Sequence, residues 1–250
     1  MHPKPKLIAF DLDGTLAESK TPMSAQMGAL MAKLLSSMPA AVLSGASFKQ
    51  FETQLLPAIP SGARLENLYL FPMNASVCYR YQAGAWQRLY DESFTEEETA
   101  RVLHELNEAM KQTGFDKPPP KLWGERIENR GSQITFSALG QQAPAELKYA
   151  WDPDRKKREA IAALIQQRIP EYDVRIGGAT SIDITKKGVN KAYGIRKIEQ
   201  FLGIEPDHIV FVGDSLFYGG NDYPAKATGV DCIQVSGPEE TKKLITEWVA

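Results

Sequence analysis

Short apolar runs in this chain end abruptly in polar or acidic groups: "KLIAF" leads into Asp11-Leu12-Asp13, "AAVL" into Ser44-Gly45, and "HIVFVG" into Asp214. Runs this short and this uniformly apolar fit strands buried on both faces. "LYLFP" and "DCIQV" read the same way. Between them the period changes to that of a helix: "SAQMGALMAKLLSS" sets Met27, Leu30, Met31, Leu34 and Leu35 on one face. "NKAYGIRKIEQFLG" and "PEETKKLITEWV" are further helices. Strands alternating with helices predict an α/β fold, a Rossmann-like doubly wound parallel sheet covered on both sides.

The middle of the chain has another texture. "TEEETARVLHELNEAMKQ" opens with Thr95 and Glu98 at capping-box spacing and carries Val102, Leu103, Leu106 and Met110 as its apolar stripe. "KPPPKLW" breaks the pattern, because consecutive prolines exclude helix and central strand. "GSQITFSAL" alternates as a half-buried strand, "PDRKKREAIAALIQQRI" reads as a helix, and "DVRIG" and "SIDIT" as a strand pair. Residues 86–185 therefore form an inserted α+β unit between the two parts of a core, 1–85 and 186–250. Within it "DPDRKKRE" reads as a solvated helix start, and Trp86, Trp123 and Trp151 as packing residues.

Composition narrows the function. A net charge of −2 leaves no basic footprint for nucleic acid. No apolar run has the length to span a bilayer, and "MHPKPK" leads into a strand rather than a signal-peptide core, so the expected location is cytoplasmic. Cys78 and Cys232 read as buried thiols, and His2, His104 and His208 have no metal-ligand spacing.

Open parallel sheets bind ligands beyond the carboxyl ends of their strands. These strands present Asp11, Asp13, Ser44 and Asp214 there, with Asp222 in the loop "GDSLFYGGND" and Lys191 opening a helix after "KKGVN". Several carboxylates without His or Cys make a hard-oxygen site suited to magnesium (Mg²⁺), which lets crowded carboxylates stay ionised. A lysine and a serine hydroxyl beside them suit phosphate oxygens. In such a site one carboxylate can attack a phosphoryl group and form an aspartyl-phosphate, while a second serves as acid and base. Each motif alone has a blander reading as turn, cap or surface lysine. Their order and shared place after strands carry the argument. A receiver-like phospho-acceptor domain uses similar residues but has no inserted unit of this size.

Together these residues resemble the haloacid dehalogenase-like superfamily of phosphatases and phosphotransferases, whose four motifs are matched by "DLDGT", Ser44 in "VLSG", Lys191 in "KKGVNKAYGI", and Asp214 and Asp222. Lys187 is the competitor for the third motif. The resemblance implies that Asp11 is the nucleophile and Asp13 the general acid/base. It implies that Asp11, the Asp13 main-chain carbonyl and Asp214 hold Mg²⁺, with Asp222 either a further ligand or just behind the ligands, and that Ser44, Gly45 and Lys191 bind the phosphoryl group. By the same resemblance, an α/β cap between the second and third motifs marks a branch that mostly handles phosphorylated sugars.

Within that branch the chain is most similar to eukaryotic-type phosphomannomutases, through the long "GDSLFYGGND" loop, "LFPMNASVCY", "IENRGSQITFSALG" and "GGATSIDITKKGVNK". The similarity implies that Arg130, Ser181 and Asp183 contact the sugar or its distal phosphate, and that a homodimer forms through the cap. Two further cap arginines of that family correspond, by ungapped count, to Gln141 and Lys148, and an arginine after the first motif to Lys20. Gln removes the charge, and Lys is not equivalent to Arg at a phosphate clamp. The expected activity is accordingly a Mg²⁺-dependent phosphohydrolase acting on a small phosphorylated sugar, the alternative being a phosphomannomutase.

Overall fold

The computed structural model describes residues 5–19, 21–177 and 179–250, so Lys20 lies outside the described residues. The chain divides into two units, Met1–Asp91 with Val189–Ala250, and Glu92–Gly188.

The first unit is built on a seven-stranded sheet. Its strands are β1 (Leu7–Phe10), β2 (Ala40–Leu43), β3 (Leu68–Phe71), β4 (Val77–Gln82), β5 (Ala85–Asp91), β10 (Ile209–Gly213) and β11 (Asp231–Gln234). The order is β11-β10-β1-β2-β3-β4-β5. The first five in that order run parallel, with Leu7 opposite Ile209 and Ile8 opposite Ala40. Successive residues of β1 serve opposite faces, as the pleat requires. Ile8 and Phe10 pack with α1 (Ala25–Ser37) and α7 (Pro238–Trp248), whereas Leu7 and Ala9 pack with α6 (Lys191–Leu202). The Ser24 side chain caps α1 by accepting from Met27 N at 3.2 Å. A further short helix, α2 (Phe48–Gln54), follows β2.

β4 and β5 depart from the expected all-parallel sheet. They form an antiparallel hairpin that extends it past β3. Ala83 and Gly84 turn the hairpin with φ of 51° and 83°, the left-handed pair that matches strand twist. Trp86 consequently sits on β5 and packs against the core of the first unit, so the boundary falls after Asp91 and not before residue 86.

The second unit carries β6 (Ile127–Asn129), β7 (Gln133–Ser137), β8 (Tyr172–Ile176) and β9 (Ser181–Lys186) in an antiparallel sheet ordered β6-β7-β9-β8. Two helices, α3 (Glu96–Thr113) and α5 (Lys156–Arg168), supply Val102, Leu106, Ile161 and Ile165 to a core with Ile134, Phe136, Ile182 and Ile184. The Thr95/Glu98 capping box is formed in both directions. A short α4 (Ala145–Trp151) precedes α5.

"DPDRKKRE" is not simply a solvated helix start. Asp152 and Arg158 are both buried and paired, Arg158 Nε donating to Asp152 Oδ2 at 2.8 Å. The same carboxylate accepts from the backbone N–H groups of Lys157 and Arg158, each at 3.1 Å, closing the first turn of α5. Among the described residues no helix is long and apolar enough to cross a membrane. Cys78 and Cys232 are free thiols.

Candidate active site

The site of the first unit is assembled from the ends of three adjacent parallel strands. Asp11 follows β1, Ser44 follows β2, and Asp214 follows β10. Because β1 lies between β2 and β10, the sheet order alone brings these residues to one edge. Asp11 is anchored through its backbone N–H, which donates to Val212 O at 2.9 Å.

Carboxylate oxygens of Asp11, Asp214 and Asp222 lie within 4.8 Å of one another. Two glycines make this possible. A Cβ on Gly14, whose φ is +77°, would stand 2.7 Å from Asp214 Oδ2, and one on Gly213 would stand 2.3 Å from Asp222 Oδ2. Asp222 Oδ2 also accepts from Ser215 N at 3.1 Å. Its other oxygen, Oδ1, is buried and accepts no hydrogen bond, although Lys191 Nζ lies 3.2 Å away.

Lys191 is the first residue of α6, placed by Asn190, whose side chain accepts from Tyr193 N at 3.2 Å. The lysine is fully buried and its ammonium donates to Asp11 Oδ1 and to Leu43 O. Lys187, its competitor from the sequence, points elsewhere: its Nζ donates to Pro170 O at 3.2 Å in the second unit.

The electrostatics follow from crowding. Burial pushes the Asp11 carboxyl up to about 7, with Lys191 opposing the rise and Asp222 adding to it. Burial, and then Asp222, likewise raises Asp214. Burial works to lower the Lys191 ammonium, but Asp11 and Asp222 outweigh it and hold it above its ordinary value. Three convergent carboxylates, with neither His nor Cys among them, are a donor set that fits a hard divalent cation such as Mg²⁺.

Ser44 is buried, and its Oγ accepts from Ala46 N at 3.1 Å. The loop it starts is clamped by the segment after β3. Met73 N donates to Ala46 O at 2.8 Å and Asn74 N to Ser44 O at 2.9 Å. Met73, Asn74 and Ala75 all have φ between 49° and 69°, and a run of non-glycine residues in that region stores strain.

Asp13 is outside the three-carboxylate cluster. Its Oδ1 accepts from Gln54 Nε2 at 2.8 Å, a partner absent from the sequence reading. Gln54 lies at the end of an ordinary helical pattern, and no motif marks it.

In the second unit, Ser181 and Asp183 lie on β9 on the face opposite the apolar Ile182 and Ile184. Asp183 faces Thr135 across the ladder and accepts from its Oγ1 at 2.7 Å, and burial raises its carboxyl. Arg130 follows β6 and pairs with Glu128 at 2.7 Å. Lys148 Nζ donates to Gln141 O at 2.8 Å, so its ammonium is held by neighbouring backbone.

The family model of eukaryotic phosphomannomutase matches residues 27–250. A phosphomannomutase of Spinacia oleracea is 28% identical over 254 residues, covering 99% of this chain and 97% of its own. One of Saccharomyces cerevisiae is 26% identical over 250 residues, covering 96% and 93%. Among solved structures, a haloacid dehalogenase-like hydrolase from Bacteroides thetaiotaomicron aligns with a TM-score of 0.67 at 14% identity, over 98% of this chain and 99% of that one. An IMP-bound Plasmodium falciparum IMP-nucleotidase has the same TM-score at 17% identity, over 98% and 68%. At such identities the structural likeness concerns the fold.

Proposed function

The chain belongs to the eukaryotic phosphomannomutase family, within the haloacid dehalogenase-like fold, and from that premise we propose that it interconverts mannose 1-phosphate and mannose 6-phosphate through an aspartyl-phosphate at Asp11. The observation that carries this reading is the extent of the family match, which runs through the inserted unit as well as the motifs that follow it. The arrangement of Asp11 and Lys191 supports the chemistry.

Asp11 attacks phosphorus, and the new bond from its oxygen forms as the ester oxygen departs. Lys191 keeps the nucleophilic carboxylate in place and sets positive charge where the phosphoryl oxygens arrive. Asp13 gives its proton to the departing oxygen and later takes one from the hydroxyl that receives the phosphoryl group. Asp11, the Asp13 carbonyl, Asp214 and Asp222 would hold Mg²⁺, which when bound supplies charge neutralisation around the phosphoryl group. Ser44 and Gly45 would contact the phosphoryl oxygens, and Arg130, Ser181 and Asp183 the sugar or its distal phosphate.

A second reading has its own observation. Gln141 lacks charge, and Lys148 brings a point charge with one of its three donors already on the Gln141 carbonyl, so the inserted unit offers less to a second phosphate than two arginines would. In that case water receives the phosphoryl group, and the enzyme is a sugar-phosphate phosphohydrolase. The deciding experiment supplies mannose 1-phosphate, Mg²⁺ and a catalytic hexose 1,6-bisphosphate, and follows mannose 6-phosphate against inorganic phosphate. Isomerisation outpacing phosphate release is the expected result; phosphate release without isomerisation establishes the hydrolase instead. Asp11→Asn abolishes either activity.

A further inference from the structure

We propose that Gln54 is a positioning residue for proton transfer: its side-chain amide holds the Asp13 carboxyl group in the orientation from which that group protonates the departing oxygen. The inference rests on the phosphoryl-transfer reading above and deepens it. Gln54 is buried, and its Nε2 donates to Asp13 Oδ1 at 2.8 Å. The far end of the amide is fixed as well, because Gln54 Oε1 accepts from Gln50 Nε2 at 2.7 Å. The backbone is fixed in turn, Met23 N donating to Gln54 O at 2.7 Å.

The direction of this chain of contacts is chemically determined. Asp13 Oδ1 accepts, so the amide turns its NH₂ toward Asp13 and its carbonyl toward Gln50, which in turn sets the Gln50 amide to donate. A buried glutamine costs both desolvation and side-chain entropy, and here that cost fixes one carboxyl group. With Oδ1 held by the amide, the exchanged proton is carried on Oδ2. In the first half-reaction the Oδ2–H bond breaks and the proton goes to the ester oxygen. The P–O bond to that oxygen breaks at the same time, and the bond from Asp11 to phosphorus forms. The second half-reaction returns the proton to Oδ2. Gln54 also closes α2 (Phe48–Gln54), the helix that begins just beyond Ser44, so one helix links the second motif to the acid/base of the first.

The test is the dependence on the leaving group. Alcohol release in the first turnover is measured, with Mg²⁺, for an alkyl phosphate such as mannose 1-phosphate and for p-nitrophenyl phosphate, whose weakly basic oxygen departs without a proton. Asp13→Asn should lose alkyl ester turnover by about 10²-fold or more and aryl turnover far less. Gln54→Leu should show the same selectivity, with alkyl turnover down by about 10- to 100-fold, the worth of a hydrogen bond to a charged group. Gln50→Leu, at a half-buried position, should show it to a smaller degree and carries the comparison where Gln54→Leu fails to fold. Equal loss on both esters, or no loss on the alkyl ester, overturns the positioning role. Absence of selectivity in Asp13→Asn, where Gln54 is intact, instead overturns the acid/base assignment beneath it.

Discussion

The carboxylate of Asp222 lies so close to the α-carbon of Gly213 that a methyl group there would sit 2.3 Å from its Oδ2. Gly213 ends β10, and Asp222 lies beyond the loop that β10 feeds. Gly213→Ala must therefore displace the Asp222 carboxylate from its present place, since the same methyl group would also stand 2.9 Å from the Phe211 ring and has nowhere else to go. A displacement of about 1 Å is enough to cost roughly 10²-fold in turnover. Steady-state kinetics together with a melting curve checks this, and wild-type turnover in the alanine variant refutes the packing argument.

Lys191 is the only cation that the described contacts place among the three carboxylates. Lys191→Met leaves Asp11 and Asp222 buried without their counter-charge, at a cost of about 3–5 kcal/mol in metal-free protein. Urea unfolding measures the loss. The double substitution Asp11→Asn with Lys191→Met should cost less than the sum of the two, since each single change strands the other group.

Mg²⁺ binding should depend on pH in a defined direction. Asp11 is raised by burial from 3.8 to about 7, and Asp214 is raised by burial and by Asp222. The folded protein thus holds these protons more tightly than the unfolded chain. In metal-free protein the stability contributed at this site declines as pH rises from about 4 to about 7. A cation replaces those protons, so its affinity tightens over the same interval and levels off above it. Melting curves with and without Mg²⁺ at pH 5.5 and pH 8 should show the larger increment at pH 8. Equal increments would mean that no carboxyl proton is displaced.

Asp152 behaves in the opposite sense. Burial disfavours its charged form, but hydrogen bonds from Arg158 and from the backbone of Arg158 and Lys157 outweigh that and lower the carboxyl below its usual 3.8. Its contribution is present above about pH 4 and is lost as pH falls through the lowered value. Asp152→Asn should cost about 3 kcal/mol at neutral pH and flatten the acid limb of the stability curve. An unchanged acid limb would place the acid sensitivity elsewhere.

The parts legible in the sequence are those where a residue type and a strand end coincide. Asp11, Ser44, Lys191, Asp214 and Asp222 each follow a strand or open a helix, and the sheet order then brings Asp11, Asp214, Asp222 and Lys191 together. Gln54 was not legible, because its role comes from how α2 packs back toward Asp13, and a glutamine on a helix carries no mark of that. Arg158 was hidden for a related reason. It stands in a run of charges whose neighbours, such as Lys156, are exposed, and only its pairing with Asp152 buries it. The β4–β5 hairpin turns on Ala83-Gly84, a weaker signal than Asn-Gly, so the sequence does not mark its strands as part of the sheet.

The pairing of Leu7 with Ile209 sets a timetable for synthesis. β1 leaves the ribosome before its neighbour β10, which emerges only after the whole inserted unit has been made. At roughly 5–20 residues per second, that interval is on the order of 10–40 s. During it β1 can pair with β2 alone, and one flank of a strand made of Leu, Ile, Ala and Phe stays open. The inserted unit has its own core and can fold in that interval. Any slow step within it prolongs the exposure of an aggregation-prone edge, so chaperone dependence in this protein should track changes in the insert's folding rate as much as changes in the catalytic sheet.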